Sequence, residues 1–401
     1  MLGASGCMTA LPLTWLLALN AGLLLLAYFS QRAWFAATRA WWRRRGLPRP
    51  LHSALFFLLL LASAWVMASH AYHRPALLRI LYGWSAVYLV SSSASGFLLL
   101  IGRGFQRRPA APNTPHRRNE PGAEPAAAPR RRFLRWAGTA ALAAPWAASG
   151  YGYTIERGDV QLTQISLHLG AAARPWSGLT IALISDIHLD DYFSARRLAA
   201  VVERINRLRP DLIAITGDFI TYRHSIPDLV RILAPLRARL GKFASLGNHE
   251  TSEHAQRILA LACARIGIDV LRFASRRLRA GGGRLNLIGV DFLQSGQEAD
   301  VRSIGGYARA GELNILLSHN PNVFPYLDPL PIQLTLAGHL HGGQLVIPGL
   351  AEISPARLIS PYLAGLYRRG GHWMYVNRGL GTVGVPIRFG ARPEITRLEL
   401  V

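Results

Sequence analysis

Three long stretches of this chain contain no residue with a formal charge: 11–30, 51–73 and 80–102. An α-helix of about 20 apolar residues spans the hydrocarbon core of a bilayer, which is roughly 30 Å thick. The alternative is that the three stretches are buried helices of a large soluble protein. We predict an all-α transmembrane region over residues 1–102, with the three stretches as its helices.

Arginine is distributed unevenly around these stretches. Six arginines lie between the first and the second stretch, two between the second and the third, and nine within residues 103–135. Cytoplasmic loops of membrane proteins carry the excess of basic residues, so the pattern predicts that the N-terminus is outside and residues 103–135 are inside. Residues 1–149 hold 17 arginines against two acidic residues, a net charge of +15. Beside apolar, tryptophan-rich segments this excess favours a membrane face and argues against a nucleic-acid partner.

Residues 103–132 are basic and rich in proline and alanine, which predicts a linker. The next segment, 133–150, continues the sequence "RRRFLRWAGTAALAAPWAASG" that begins at residue 130. It has two interpretations, a fourth transmembrane helix or a twin-arginine-like export signal, and both carry the following domain across the membrane. The alternative is a cytosolic helix that caps that domain. We expect a multi-pass protein of the cell (inner) membrane whose following domain is extracytoplasmic.

From residue 151 onward, short apolar runs alternate with amphipathic segments, a pattern typical of an α/β domain. The predicted strands are 180–185, 211–216, 242–247, 284–290, 314–318, 332–338, 373–377 and 394–400, and the predicted helices are 194–209 and 253–267. The only cysteines, Cys7 and Cys263, cannot build a disulfide framework or a Cys-rich zinc site. We expect Cys263 to be a small core residue of the second helix.

Side chains that can bind a metal follow five of the predicted strands. In chain order they are Asp186, His188, Asp218, Asn248, His249, His319, His339 and His341. Ligand sites of open α/β sheets lie outside the carboxyl ends of the strands, so these segments could converge in one crevice. Carboxylate, imidazole and amide oxygen together suit Mn, Fe or Zn and do not suit a calcium cage. Each motif alone has an ordinary explanation as a turn, a helix cap or a surface histidine, but together they predict a metal centre.

The order D-x-H, G-D, G-N-H-E, H and G-H-x-H resembles the signature of the calcineurin-like metallophosphoesterases. The segment "GHLHGGQ" (338–344) and the tail "YVNRGLGTVGVPIRFGARPEITRLEL" (375–400) are similar to the membrane-associated bacterial branch of YkuE- and YaeI-type phosphodiesterases. The resemblance covers residues 152–401. It implies a four-layer α/β/β/α metallophosphoesterase sandwich for the domain at 151–401.

The resemblance also implies two divalent transition-metal ions and the residues that hold them. One ion would be bound by Asp186, His188, Asp218 and His341, and the other by Asp218, Asn248, His319 and His339. Asp218 would bridge the two ions. His249 would be catalytic without binding metal, either donating a hydrogen bond to a phosphate oxygen or protonating the leaving group. Glu250 would orient His249 or act as a helix N-terminal carboxylate.

Arg378, in "NRGLG", has two interpretations. It could clamp a non-bridging phosphate oxygen, because a guanidinium binds such oxygens well. It could equally be one more surface arginine in a chain that contains 44.

The function implied by the resemblance is that of a membrane-anchored, metal-dependent phosphoesterase. A metal-bridging hydroxide would hydrolyse a phosphodiester or pyrophosphate bond, which is two-metal phosphodiesterase chemistry. Because the anchor confines the enzyme to the bilayer surface, we expect membrane lipids as partners and a lipid-linked or envelope-derived phosphorylated substrate. Two alternatives stay open: a UDP-2,3-diacylglucosamine pyrophosphatase-type enzyme of lipid A synthesis with a cytoplasmic-facing site, and a non-catalytic membrane protein that binds a metal or ligand. The substrate, the native metals and the oligomeric state are left open.

Overall fold

The computed structural model describes residues 127–401, apart from 191, 281, 295–297, 329 and 350–353, together with residues 32, 33, 36, 39, 86–88, 90–99 and 101. The chain divides into two compact units, with a boundary between Gly150 and Tyr151. The predicted spans 11–30 and 51–73 lie outside the described residues, whereas the described part of 80–102 is helical. Within the part of the chain that the structure describes, no helix combines the length and the apolar character that crossing a membrane requires. The transmembrane region is therefore unsupported and stays a prediction.

In the first unit, the described residues are helical. Helix α1 (Ala127–Thr154) contains the whole of the predicted segment 133–150 and also residues 127–132, which were predicted as the end of the linker; residues 103–126 of that linker lie outside the described residues. Ser91 and Ser95 are fully buried and donate hydrogen bonds to the carbonyl oxygens of Pro145 (3.3 Å) and Leu142 (2.9 Å). Small side chains at such an interface let two helix backbones approach closely. The helical residues 90–99 therefore pack directly against α1.

The second unit is built on two six-stranded sheets. The strands are β1 (Gln161–Leu167), β2 (Thr180–Ile184), β3 (Leu212–Thr216), β4 (Gly241–Ser245), β5 (Ile268–Val270), β6 (Ala274–Ala280), β7 (Gly283–Gly289), β8 (Leu313–Leu317), β9 (Leu334–Ala337), β10 (Gly365–Arg369), β11 (His372–Val376) and β12 (Glu394–Leu400). The first sheet has the order β1-β12-β2-β3-β4-β5 and the second β10-β11-β9-β8-β7-β6. The central strands β2, β3 and β4 are mutually parallel, as are β7, β8, β9 and β11. Their carboxyl ends therefore lie along one edge of each sheet.

The second unit has five described helices. They are α2 (Ala195–Leu208), α3 (Ile226–Leu233), α4 (Asn248–Ser252), α5 (Gln256–Ala264) and α6 (Glu298–Ser303). Of these, α2, α3 and α5 pack on the outer face of the first sheet and α6 on that of the second, while α4 directly follows β4. Helix α2 buries Leu198, Val201, Val202 and Ile205, which have the spacing of one helix face, and packs them on the first sheet.

A second apolar cluster fills the space between the sheets, where residues such as Leu183 of β2 and Leu287 of β7 meet. A third packs α6 and the turn Pro321–Tyr326 on the outer face of the second sheet. The layers therefore run helices, sheet, sheet, helices. The α/β fold expected for residues 151–401 is confirmed.

All eight predicted strands are present, with ends displaced by at most two residues. Strands β1, β5, β6 and β10 were not predicted. The predicted helix 194–209 corresponds to α2. The predicted helix 253–267 is shorter than expected, because His254 adopts a left-handed backbone conformation (φ 50°) and separates α4 from α5.

Candidate metal centre

The predicted metal ligands lie together where central strands of both sheets end. Asp186, Asp218 and Asn248 follow β2, β3 and β4 of the first sheet, and His319 and His339 follow β8 and β9 of the second. Parallel neighbouring strands explain the convergence, because their carboxyl ends emerge at the same edge. The site therefore draws its side chains from both sheets.

Among the described residues, three groups place their ligand atoms within 4.8 Å of one another. They are Asp186, His188 and His341; His188, Asp218 and His249; and Asp218, His319 and His339. The first and third groups coincide with the cores of the two ligand sets implied by the sequence.

Asp218 lies between the two ligand sets. Its Oδ2 is 3.4 Å from Nε2 of His188 and 3.2 Å from Nε2 of His319. Its other oxygen, Oδ1, accepts a hydrogen bond from the backbone N–H of His249 at 2.9 Å. One carboxylate oxygen thus faces both sets, while the second is held by the backbone of the neighbouring loop.

The donor set fits a divalent transition metal. Among the described residues, Nε2 of His188 and Oδ1 of Asn248 are buried and form no hydrogen bond. A buried polar atom without a partner is costly, and these two belong to ligand types that bind Mn, Fe and Zn. The resemblance implies that His188 and Asn248 bind different ions, so each ion would satisfy one of these atoms.

Five predicted ligands have an unusual backbone conformation. Nine described residues other than glycine have a clearly positive φ, and five of them are Asp186, His188, Asp218, His339 and His341, with φ between 44° and 78°. Such conformations are uncommon for residues with a Cβ and cost about 1–3 kcal/mol each at strained positions. They persist where the surrounding structure determines the backbone, and they cluster at functional sites.

Two glycines allow the ligand-bearing segments to approach each other. A Cβ at Gly247 would overlap the carboxylate of Asp218, and a Cβ at Gly338 would overlap the side chains of Ser185 and Asp186. Any larger residue at either position would push a metal ligand away. Steric crowding therefore explains why the "GNHE" and "GHLH" motifs have glycine at these two positions.

The pKa shifts of the site indicate that a positive charge between the carboxylates is favourable. Burial alone would lower the pKa of His319, but the carboxylates of Asp218 and Asp186 outweigh it and raise the pKa to about 10. Burial would raise the pKa of Asp218, yet the charge of His319 holds it well below its ordinary value. Burial lowers the pKa of His188 and of His339 to about 3, so both imidazoles are neutral and keep a lone pair for a metal.

Glu250 does not orient the His249 ring in the contacts that the structure gives it. Its fully buried carboxylate accepts hydrogen bonds from four backbone N–H groups. They belong to Gly247 (2.8 Å), Asp218 (3.0 Å), Phe219 (2.8 Å) and Ile220 (3.3 Å). Glu250 thus lies at the start of α4 as the helix N-terminal carboxylate that was one of its two predicted roles. Its additional contacts with the loop of Asp218 were not predicted.

His249 lies beside the metal ligands, as its predicted role requires. Its ring stands edge-on to the ring of His188, with 4.5 Å between the centroids. Phe292, which the sequence analysis did not identify, places its ring 5.3 Å from the ring of His339 and so forms one wall of the site. No spacing pattern distinguishes Phe292 from other phenylalanines of the chain.

The guanidinium of Arg378 is bonded to other residues of the protein, whereas a phosphate clamp would need a guanidinium that is free to bind the substrate. It forms an ion pair with the buried Glu394 at 2.8 Å and donates a hydrogen bond to Oε1 of Gln161 at 3.1 Å. The backbone N–H of Arg378 also donates to Glu394. These contacts tie the loop after β11 to β1 and β12, which favours a structural role over both predicted interpretations.

Comparison with known proteins agrees with this geometry. The sequence profile of the family "Calcineurin-like phosphoesterase" matches residues 179–343. The chain is 34% identical over 281 residues to the uncharacterized metallophosphoesterase YkuE of Bacillus subtilis, covering 68% of this chain and 97% of that protein. It is 28% identical over 277 residues to the phosphodiesterase YaeI of Escherichia coli, covering 68% of this chain and 99% of YaeI. A Danio rerio relative, named a transmembrane protein with metallophosphoesterase domain, is 31% identical over 238 residues, which are 56% of this chain and 53% of the relative.

The chain therefore belongs to the calcineurin-like metallophosphoesterase family. It is a hydrolase that acts on phosphoester bonds, as the motifs predicted. The resemblance to YkuE and YaeI is confirmed.

Proposed function

We propose that this hydrolase is a membrane-anchored, two-metal phosphodiesterase that cleaves a phosphodiester or pyrophosphate bond in a lipid-linked or envelope-derived substrate. The observation that carries the proposal is the pair of ligand groups on either side of Asp218, one with Asp186, His188 and His341 and one with His319 and His339. Two ions about 3.5–4 Å apart are found in phosphatases and nucleases, where they stabilise the attacking and the leaving oxygen.

The ligand sets of the proposal are those implied by the sequence. One ion would be held by Asp186, His188, Asp218 and His341, the other by Asp218, Asn248, His319 and His339. Bound divalent ions would acidify a water for attack on phosphorus and neutralise charge on the phosphoryl oxygens. The mixed oxygen and nitrogen donors suit Mn, Fe or Zn.

His249 is proposed to act on the substrate and not on the metal. Its backbone N–H donates to Oδ1 of Asp218, and this hydrogen bond fixes the position of its backbone. Its ring lies against the ring of His188. From that position the imidazole would donate a hydrogen bond to a phosphate oxygen or give a proton to the leaving group.

The membrane anchor rests on the apolar stretches of the sequence and on the helix pair of the first unit. The buried Ser91 and Ser95 hold residues 90–99 against α1, and Phe133 and Trp136 of α1 are exposed in the structure. Aromatic side chains of that kind are common at membrane interfaces. We propose that residues 133–150 form a fourth span and that the phosphoesterase domain is extracytoplasmic. A C-terminal alkaline phosphatase fusion expressed in a Gram-negative host would then be active, and an inactive fusion would place the domain inside.

Hydrolysis of bis-p-nitrophenyl phosphate, compared with the monoester, tests the proposed reaction. The full chain in detergent is stripped of metal and supplied in turn with Mn²⁺, Fe²⁺ and Zn²⁺. We expect metal-dependent cleavage of the diester and a decrease of at least about 100-fold in kcat/KM for Asp218→Asn. The matched control is Asp228→Asn, a carboxylate exposed on α3, which should retain wild-type activity. Equal activity of the two variants would refute the mechanism, and activity on the monoester alone would refute the diesterase assignment.

A further inference from the structure

Arg388 is the largest fully buried side chain among the described residues, and it lies next to the metal centre. Its Nε donates to the carbonyl oxygen of Gly381 at 2.9 Å, and its Nη1 donates to the carbonyl oxygens of Arg378 (2.8 Å) and Ala391 (2.9 Å). Its Nη2 donates to Nδ1 of His341 at 3.1 Å. A buried guanidinium without partners would be very costly, so these acceptors account for its presence in the interior.

The partners of Arg388 belong to one of the two proposed ion sites. His341 is contacted directly, and its Nε2 is directed to Oδ1 of Asp186 at 3.4 Å. Gly381 donates its backbone N–H to the carbonyl oxygen of Asp186 at 2.8 Å. A Cβ at Gly381 would lie 2.7 Å from Cβ of His188, so the same turn also packs on that ligand. Arg388 thus reaches Asp186, His188 and His341, either directly or through Gly381.

The other ion site has a different support. Nδ1 of His319 lies 2.7 Å from the carbonyl oxygen of Thr216, the usual kind of partner for the second nitrogen of a metal-binding histidine. Behind His341 stands a guanidinium, which can only donate, so Nδ1 of His341 accepts and the proton of the neutral imidazole lies on Nε2. An ion at Nε2 would displace that proton, and the contacts of Arg388 that are compatible with a bound ion are those to the carbonyl oxygens of Gly381 (2.9 Å) and His341 (3.4 Å). The two sites therefore depend on different residues for the orientation of their histidines.

The last turn of α1 holds the segment that carries Arg388. The backbone N–H of Arg388 points to the carbonyl oxygen of Gly152 at 3.4 Å, and Glu156 accepts the backbone N–H of Ala391 at 3.0 Å. A Cβ at Gly152 would overlap the carbonyl oxygen of Arg388 and would lie 2.9 Å from Cγ2 of Ile387. Glycine at position 152 is thus required for the observed close contact.

We propose that Arg388 is a positioning residue for the ion site of Asp186, His188 and His341, and that the end of α1 seats Arg388 through Gly152. The inference rests on the proposed two-metal centre, which it deepens. It makes occupancy of one ion site dependent on how the last turn of α1, which lies within the second unit, packs against the segment of Arg388.

Two alanine substitutions two residues apart on α1 test the proposal. Gly152→Ala introduces the Cβ that overlaps Arg388, whereas a Cβ at Gly150 meets no atom within 4 Å. Both changes raise intrinsic helix propensity by the same amount, about 1 kcal/mol, so the comparison isolates the contact with Arg388. The full chain in detergent is stripped of metal and titrated with Co²⁺. Metal per chain, the visible absorption of Co²⁺ and the magnetic coupling between the two ions are then measured.

We expect wild type and Gly150→Ala to bind about two ions per chain with magnetic coupling. Gly152→Ala should bind one of the two at least about tenfold more weakly and lose the coupling at low Co²⁺ concentration. Arg388→Lys, which keeps the charge but loses the fork of donors, should show the same selective loss. The proposal is overturned if Gly152→Ala and Gly150→Ala bind Co²⁺ alike, or if both ions weaken together, since that would indicate a general loss of structure. Wild type that binds no metal would refute the proposed function itself.

Discussion

The buried carboxylate of Glu250 accepts a hydrogen bond from the backbone N–H of Asp218 at 3.0 Å. Because the same carboxylate also accepts the N–H groups of Gly247 and Phe219, it joins the loop that carries the central metal ligand to the loop that carries Asn248. A carboxylate offers two oxygens with several lone pairs, which suits this number of backbone donors. The metal centre therefore depends on an acidic residue that is not one of its ligands.

Glu250→Gln should destabilise the second unit and loosen the site. The amide replaces one acceptor oxygen by an NH₂ group that faces backbone N–H groups, so buried donors lose their partner. We expect the free energy of unfolding to fall by about 2–4 kcal/mol, measured by pulse proteolysis in urea. Glu203→Gln, on the exposed face of α2, serves as control and should change it by no more than about 0.5 kcal/mol. Equal stability of the two variants would show that Glu250 is not needed to hold the loops.

His249→Ala should decrease kcat without removing metal. The side chain is proposed to act on the phosphate or the leaving group, and general acid catalysis typically contributes about 10²- to 10⁴-fold. If it protonates the leaving group, the decrease will be large for a diester with an alkyl alcohol as leaving group and small for p-nitrophenolate, which needs no proton. If it binds the phosphate oxygen, both substrates will slow equally. Unchanged kcat for both, or loss of bound metal, would contradict the assigned role.

The buried thiol of Cys263 should make the free energy of unfolding of the second unit decrease as the pH becomes alkaline. Burial, with a further contribution from the charge of Glu250, raises the pKa of the Cys263 thiol from 9.0 to about 12. A pKa raised in the folded state contributes stability that is full below the ordinary value and is lost as pH rises toward the folded value, because the unfolded chain can ionise first. At about pH 10 the loss should be about 1.4 kcal/mol.

The measurement compares wild type with Cys263→Ala from about pH 8 to about pH 10.5, again by pulse proteolysis. The alanine variant carries a constant offset from the lost side-chain volume, so the slope and not the absolute stability is the readout. Parallel curves for the two proteins would contradict the prediction.

The sequence predicted every interior strand of the two sheets and missed every edge strand. β3 reads LIAIT and is buried at all five positions, because a central strand with layers on both faces becomes a continuous apolar run. The four missed strands, β1, β5, β6 and β10, are the outermost strands of the two sheets. β6 reads ASRRLRA and β10 reads GLYRR. Charged residues protect sheet edges from pairing with other chains, and they also remove the apolar pattern that reveals a strand.

The metal ligands could be predicted because few side-chain types bind transition metals. The residues that hold these ligands in place could not be predicted in this way. Asp186 and His188 belong to the few side-chain types that bind transition metals, and they follow a recognisable strand. Arg388 is one of 44 arginines, and its partners are mainly backbone carbonyls that only the folded chain brings together. Glu250 likewise binds backbone N–H groups about 30 residues earlier in the chain. Contacts of side chains with distant backbone leave no spacing in the sequence.

Strand β12 lies inside the first sheet, parallel to β1 on one side and antiparallel to β2 on the other. During synthesis, β1 and β2 emerge long before residues 394–400. The two strands are joined in the sheet only through β12, so this part of the sheet forms last. β2 leads directly to Asp186 and His188, so the strand that carries these two ligands gains its β12 neighbour last. A nascent chain that has not yet reached Glu394 therefore carries all the metal-binding side chains but lacks the strand that joins β1 to β2 in the first sheet.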